Sequence, residues 1–235
     1  MKKVLTLAIV LFLLSTSSVL AQVCCVSDAT SGYPYLDYWP DGSVNAWDYG
    51  SLKQEWGNDC VACRAPVPKT GQTTSWATGD DGDLEKGVTW PNPRFTDNGD
   101  GTVTDNLTGL IWLKDANCFG GRTWSQALSD CNGLEDGECE LIDSSNAGDW
   151  RLPNRFELES LLDMAYYNPP MPNTVGTGQW SEGDPFNNVK SNEYWSSSKC
   201  LFGGDTSFYV ALSSGDTSHH FKANPYYVWP VRGGQ

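Results

Sequence analysis

A chain of 235 residues with 29 acidic against 15 basic side chains, net charge −14, has room for one ordinary domain and a smaller module. The acidity argues against nucleic acid and anionic membranes, whose phosphates it would repel, and suits calcium and neutral or basic partners. Eight cysteines allow on the order of a hundred pairings, so their connectivity is not readable from spacing alone.

Lys2 and Lys3, the apolar run Val4–Leu14 and the small-residue site ending Val19-Leu20-Ala21 predict a secretory signal peptide over residues 1–21. Its apolar core is short for a bilayer span, and no later stretch is apolar enough to anchor the chain. Gln22-Val23 before Cys24 disfavours a lipoprotein site. The expected product is secreted, periplasmic or extracellular, and soluble, without membrane insertion. Cleavage removes two lysines and no acid, taking the charge from −14 to −16. All eight cysteines then enter an oxidising compartment, where disulfides are the default.

Residues 22–65 read as a small cysteine-framed module. Its centre runs Asp37-Tyr-Trp-Pro-Asp41-Gly42-Ser43-Val44-Asn45-Ala-Trp-Asp48. Numbered as a calcium loop, Asp37 stands at position 1, Asp41 at 5, Gly42 at the turn, Ser43 at 7, Asn45 at 9 and Asp48 at 12. A hard cation needs oxygen at those places. The loop resembles one dockerin-type repeat, with Trp39 in place of an oxygen ligand and one loop where dockerins carry two. A weak calcium site stands here against an Asp-Gly turn with no ion, and a cohesin-like partner is the weaker expectation. Cys24, Cys25, Cys60 and Cys63 are expected to bridge among themselves. Zinc ligation and a Cys60-Val-Ala-Cys63 redox pair are the lesser alternatives outside the cell.

Residues 66–235 carry the larger domain. Asp80-Asp81-Gly82-Asp83 is an oxygen cluster better read as a solvated turn. Phe95–Asp105, with Asn98-Gly99 and Asp100-Gly101 between two alternating runs, predicts a hairpin. Leu110–Leu113 predicts a core strand. Thr123 and Gln126 predict a capping box, followed by a stripe of Trp124, Ala127, Leu128 and Cys131 and a stop at Asn132-Gly133. Trp150-Arg151-Leu152 reads as a short strand closed by Pro153. Asn154 and Glu157 then cap a helix whose stripe is Leu158, Leu161, Leu162 and Ala165. Three further strands are expected over Tyr194–Ser198, Ser207–Leu212 and Tyr226–Arg232, joined by the loops Lys199–Thr206 and Ser213–Pro225.

Four stretches closely resemble the Lcl C-terminal domain family: Phe95-Thr-Asp-Asn-Gly-Asp-Gly-Thr-Val-Thr-Asp-Asn-Leu-Thr-Gly-Leu-Ile-Trp112, Gly148-Asp-Trp-Arg-Leu-Pro-Asn154, Tyr194-Trp-Ser-Ser-Ser198 and Val228-Trp-Pro-Val-Arg-Gly-Gly-Gln235. The resemblance implies an α+β, C-type-lectin-like fold, with two amphipathic helices on a twisted antiparallel sheet and the chain ends brought together. It further implies recognition or adhesion rather than catalysis. The family's named member is a collagen-like adhesin whose end domain takes part in glycan attachment, and related domains serve as variable proteins of diversity-generating retroelements. Many relatives pair the first-helix cysteine with one in the last strand, where this chain has Pro230. The resemblance instead implies Cys118 with Cys139, and Cys131 with Cys200.

A search for chemistry gives no catalytic residues. His219 and His220, the only histidines, are adjacent and therefore point to opposite faces if extended. No Gly-x-Ser-x-Gly elbow, His-Glu-x-x-His or phosphate loop accompanies them. Glu157 and Glu159 suggest a glycosidase pair only superficially, since Glu157 is spoken for as a cap. Trp112, Trp150, Trp195 and Trp229 lie in the family motifs and are assigned to the core. The two late loops offer Lys199, Phe202, Asp205, Asp216, His219, His220, Phe221, Lys222 and Asn224, and these are the expected ligand-binding residues. The expected function is therefore a secreted, non-enzymatic recognition protein for a glycan or cell-surface protein, with calcium the one cofactor in view. An accessory of polysaccharide breakdown docked through Asp37–Asp48 is the alternative.

Overall fold

Turn chemistry starts the domain. Asp97 and Asp100 each accept the backbone N–H two residues on, from Gly99 and Thr102 at 3.0 Å, and Gly99 and Gly101 supply the left-handed backbone between them. At Gly101 a Cβ would also stand 2.5 Å from the Glu140 carbonyl oxygen, so glycine is required twice over. The hairpin pairs β1 (Phe95–Asp97) with β2 (Thr102–Asp105) in the register Thr96 to Thr104. The computed structural model describes residues 67–202 and 204–233. The signal peptide, the loop of Asp37, Asp41, Ser43, Asn45 and Asp48, and Cys24, Cys25, Cys60 and Cys63 lie outside the described residues.

The described domain is mostly β-sheet with few helices and one disulfide. A helical turn, α1 (Asp81–Leu84), precedes the hairpin; β3 (Leu110–Leu113), α2 (Trp124–Gly133) and α3 (Arg155–Glu159) follow it. Then come β4 (Glu193–Lys199), β5 (Thr206–Ala211), β6 (Thr217–Phe221) and β7 (Val231–Gly233). One antiparallel sheet has the order β1-β2-β3-β7, so the last strand closes onto the early ones, with Trp112 opposite Val231. The other is the meander β4-β5-β6. Tyr226–Trp229 runs between them, bridging to Arg122 and Tyr194, while Arg151 bridges to Val231.

Aromatic side chains fill the space between these layers. Trp112, Trp150, Trp195 and Trp229 are all fully buried, as assigned from the motifs. Trp229 meets Trp112 and Phe186 edge to face at 5.6 and 4.9 Å, and its indole N–H donates to the Leu113 carbonyl at 2.8 Å. Such an anchored indole combines a large apolar area with a satisfied polar tip. Buried Arg94 forms two 2.9 Å bonds to Asp105, which is equally buried and also accepts from Leu107 N–H and Thr108 Oγ1. Cys118 and Cys139 are bridged, tying the start of the α2 region to the loop that follows it.

Several expectations need correction. The helix after Asn154 ends at Glu159 rather than near Ala165. The chain beyond it is drawn off by tertiary partners, Asp163 N–H donating to Pro170 O and Met164 N–H to Thr70 O. The last strand begins at Val231 because Pro230 has no N–H for a ladder. Trp150–Leu152 contributes a single bridge at Arg151. The loop Ser213–Pro225 contains β6, and both histidines sit on it. Cys131 and Cys200 are not paired: both are buried thiols. Cys131 packs in a cluster with Ala127, Leu152, Trp195 and Val228, while Cys200 Sγ donates to the Phe202 carbonyl at 3.2 Å.

Candidate functional site: the aromatic edge of the three-stranded sheet

Alternation along β6 decides what the edge presents. Register pairs Thr217 with Val210, His219 with Phe208 and Phe221 with Thr206, so these three β6 residues share the face that carries buried Val210. Ser218 and His220 point to the other face, beside Tyr209 and Ser207. The two histidines therefore cannot meet in one triad.

On the first face α3 lies over the strands. Its N-terminus is set by reciprocal bonds, Glu157 N–H to Asn154 Oδ1 at 3.0 Å and Asn154 N–H to Glu157 Oε2 at 2.7 Å. Glu157 also receives Arg151 through two 2.7 Å bonds, and that guanidinium reaches the Gly233 carbonyl. The pairing favours the charged guanidinium and pushes the Arg151 pKa upward. Glu159 accepts from Arg155 Nε at 2.9 Å and Thr217 Oγ1 at 2.7 Å. Both glutamates thus hold α3 in place. Arg155 in turn lies over the Phe156 and Phe208 rings at 5.2 and 5.1 Å. His219 stands edge-on to Phe208 at 6.1 Å. Phe156 is 72 % exposed and Phe221 60 %.

The second face is capped by Tyr226. Its ring lies 4.7 Å from Trp195, 5.1 Å from Tyr209 and 6.0 Å from His220. Burial pushes the Tyr226 hydroxyl pKa up, and the Asn224 hydrogen bond opposes it. Asn224 Nδ2 stands 2.7 Å from the His220 ring nitrogen. Lys222 pairs with Asp205 at 2.8 Å and lies 4.4 Å over the Trp124 ring, whose indole N–H donates to Ser196 O.

The expected residues therefore do not converge on one point. Phe202 is 82 % exposed on the β4–β5 loop, with Leu201 beside it, and Lys199 is exposed at the end of β4. Asp205 and Lys222 neutralise each other at the Phe221 end of β6. Asp216 belongs to the turn at the opposite end, where it accepts from Ser214 Oγ at 2.8 Å. Arg155, Phe156, Phe208, Tyr209 and Tyr226 were missed as site residues. Phe156 carried a signal: it stands on the polar side of a helix stripe otherwise kept by Leu158 and Leu161.

No group of three or more His, Cys, Asp or Glu among the described residues is placed to hold a metal ion. At Asp80-Asp81-Gly82-Asp83 the oxygens serve the backbone instead. Asp80 caps α1 and accepts from Trp76, Ala77 and Asp83 N–H groups, bonds that lower its pKa. No helix among the described residues is long and apolar enough to cross a membrane.

Two antiparallel sheets with short capped helices and an aromatic edge define a β-rich domain. The profile of the Lcl C-terminal domain family matches residues 101–232, and the chain belongs to that family. The match begins within the hairpin turn, so β1 and residues 67–100 precede it. No curated protein matches the chain.

Proposed function

We propose that the domain is a non-enzymatic recognition module of C-type-lectin-like, α+β architecture, acting outside the cell on a glycan or a surface protein. The single observation that carries this reading is the set of exposed rings held on rigid elements at the β6 edge. Phe156 and Phe221 remain in solvent, the first on a helix that buries Leu158 and the second at the end of the exposed strand β6. Arg155 lies over Phe156 and Phe208, so the patch combines ring faces with a planar cation already held by Glu159. Rings of this kind stack on sugar faces and anchor protein interfaces. The closure of β7 onto β3 and the two capped helices support the lectin-like assignment.

The test is a glycan and surface-protein array probed with the mature chain and with the double variant Phe156→Ala/Phe221→Ala. The variant is expected to lose at least about tenfold in affinity for whatever the unmutated chain captures, since a few aromatic contacts dominate most interfaces. Its melting curve should stay within the shift produced by about 0.5 kcal/mol per exposed site. Undiminished capture by a folded double variant rejects this surface as the site.

A further inference from the structure

Residues 67–92 form a strap that precedes the family match. Its two ends are held together by Val88 N–H to Val67 O at 2.8 Å and Lys69 N–H to Val88 O at 3.1 Å. Thr70 O accepts Met164 N–H at 2.8 Å, laying the strap against the loop that follows α3. Between strap and loop is a cavity of ≈ 380 Å³. That lies within the range of about 300–1,000 Å³ typical of small-molecule sites. Trp90, Asp163, Tyr166, Lys69 and Asn92 are among its walls.

Asp163 is the unusual member. It is 4 % exposed, and its Oδ1 accepts Ala165 N–H at 2.9 Å. Gly71, with φ of +90°, passes so close that a Cβ there would fall on the Asp163 carboxylate and 3.0 Å from the Trp90 ring. Arg94 is buried nearby, its guanidinium 4.7 Å over the Trp90 ring, but both of its 2.9 Å carboxylate bonds go to Asp105. Arg94 and Asp105 cancel. The cluster of Arg94, Asp105 and Asp163 therefore carries one excess negative charge, on the member that lines the cavity. Lys69 is engaged with Glu85 at 3.1 Å. An uncompensated buried charge is costly, and burial accordingly raises the Asp163 pKa against the opposing pull of Arg94.

We propose that this cavity binds a small organic monocation, a primary ammonium on an apolar stem of the kind a lysine side chain presents, with the ammonium on Asp163 and the stem along Trp90. The ammonium removes the excess charge, and an indole wall favours both the stem and the cation. The acidic chain draws cations toward the mouth. An anion would add to the excess charge, and a neutral sugar would leave it in place. A metal ion finds no third acidic or imidazole ligand among the described residues.

Calorimetry on the mature chain provides the test, with butylammonium as a free amine and Nα-acetyl-lysine methylamide as a peptide-like one. The Nε-acetylated amide and glucose serve as neutral probes. At least one cation is expected to bind saturably and the neutral probes not at all; the stronger cation tells a free amine from a peptide lysine. Asp163→Asn keeps an oxygen for Ala165 N–H and should weaken binding at least about tenfold. Thr177→Trp, which fills the mouth from an exposed position, should abolish binding with an unchanged melting curve. Phe156→Ala/Phe221→Ala should leave it intact, so failure here and failure at the β6 edge are separable. Absence of saturable binding by either cation, equal affinity in Asp163→Asn, or binding of glucose in their place would overturn the proposal.

Discussion

The two sheets bury their aromatic side chains to different extents. In β1-β2-β3-β7 the two aromatic side chains, Phe95 and Trp112, turn inward, and beside them Arg94 and Asp105 form an ion pair with both side chains fully buried. In β4-β5-β6 the first two strands are equally buried, at Tyr194, Trp195, Val210 and Ala211 among others, but β6 is exposed over four of its five residues. The difference follows from position. Arg151 bridges to Val231 beyond β7 and Phe95 N–H donates to Thr174 O beyond β1, closing that sheet, whereas among the described residues no strand lies beyond β6. An aromatic residue on the closed sheet is buried in the core; on the open edge Phe221 stays in solvent.

Substitutions can break this contrast, and the largest effect belongs to the closed sheet. Trp112→Ala should cost ~3–5 kcal/mol, as large cavities do, and lower the denaturant midpoint sharply. A loss below ~1 kcal/mol would mean that the layer is less tightly packed than its burial indicates. Next is the joint between the regions. Glu157→Ala removes the α3 cap and the carboxylate that holds Arg151 near Gly233. About 1–2 kcal/mol is expected, read by chemical denaturation, with Glu157→Gln recovering part of it.

Asp163 sharpens the comparison through pH. Its folded-state pKa lies above its unfolded one, so the protonated acid is the stabilising form. That contribution is full below the unfolded value and is lost as pH rises through the folded one. Asp163→Asn should therefore melt higher than the unmutated chain at neutral pH, with the gap closing as pH falls toward about 3. Melting curves across that range check the sign, and a gap that widens on acidification would refute it. The smallest effect is at the open edge, where Phe221→Ala alone should shift stability by about 0.5 kcal/mol or less.

Much of the architecture could be read locally. Asn-Gly and Asp-Gly announced the β1–β2 hairpin, and Thr123/Gln126 and Asn154/Glu157 announced both helix starts, because each signal acts within four residues of itself. Helix ends were less legible. The apolar stripe continues to Leu161, which is buried, yet the helix stops earlier because Asp163 and Met164 find partners at Pro170 and Thr70. The nine expected contact residues were legible as polar and aromatic, but their grouping was not. Asp216 and Asp205 are close in number to the same strand, yet β6 sets them at opposite ends.

What the sequence alone determined is the content of the molecule: its acidity, its motif tryptophans, its turns and caps, and the family to which residues 101–232 belong. Those properties are carried by neighbours along the chain or by residue type. Tertiary structure decided the rest. It kept Cys131 and Cys200 apart as separate buried thiols, turned a supposed histidine loop into an edge strand, and brought Arg155 between Phe156 and Phe208. It also enclosed Asp163 behind a strap more than seventy residues upstream. Each of these depends on which distant segments supply hydrogen bonds and cover, and no local pattern records that.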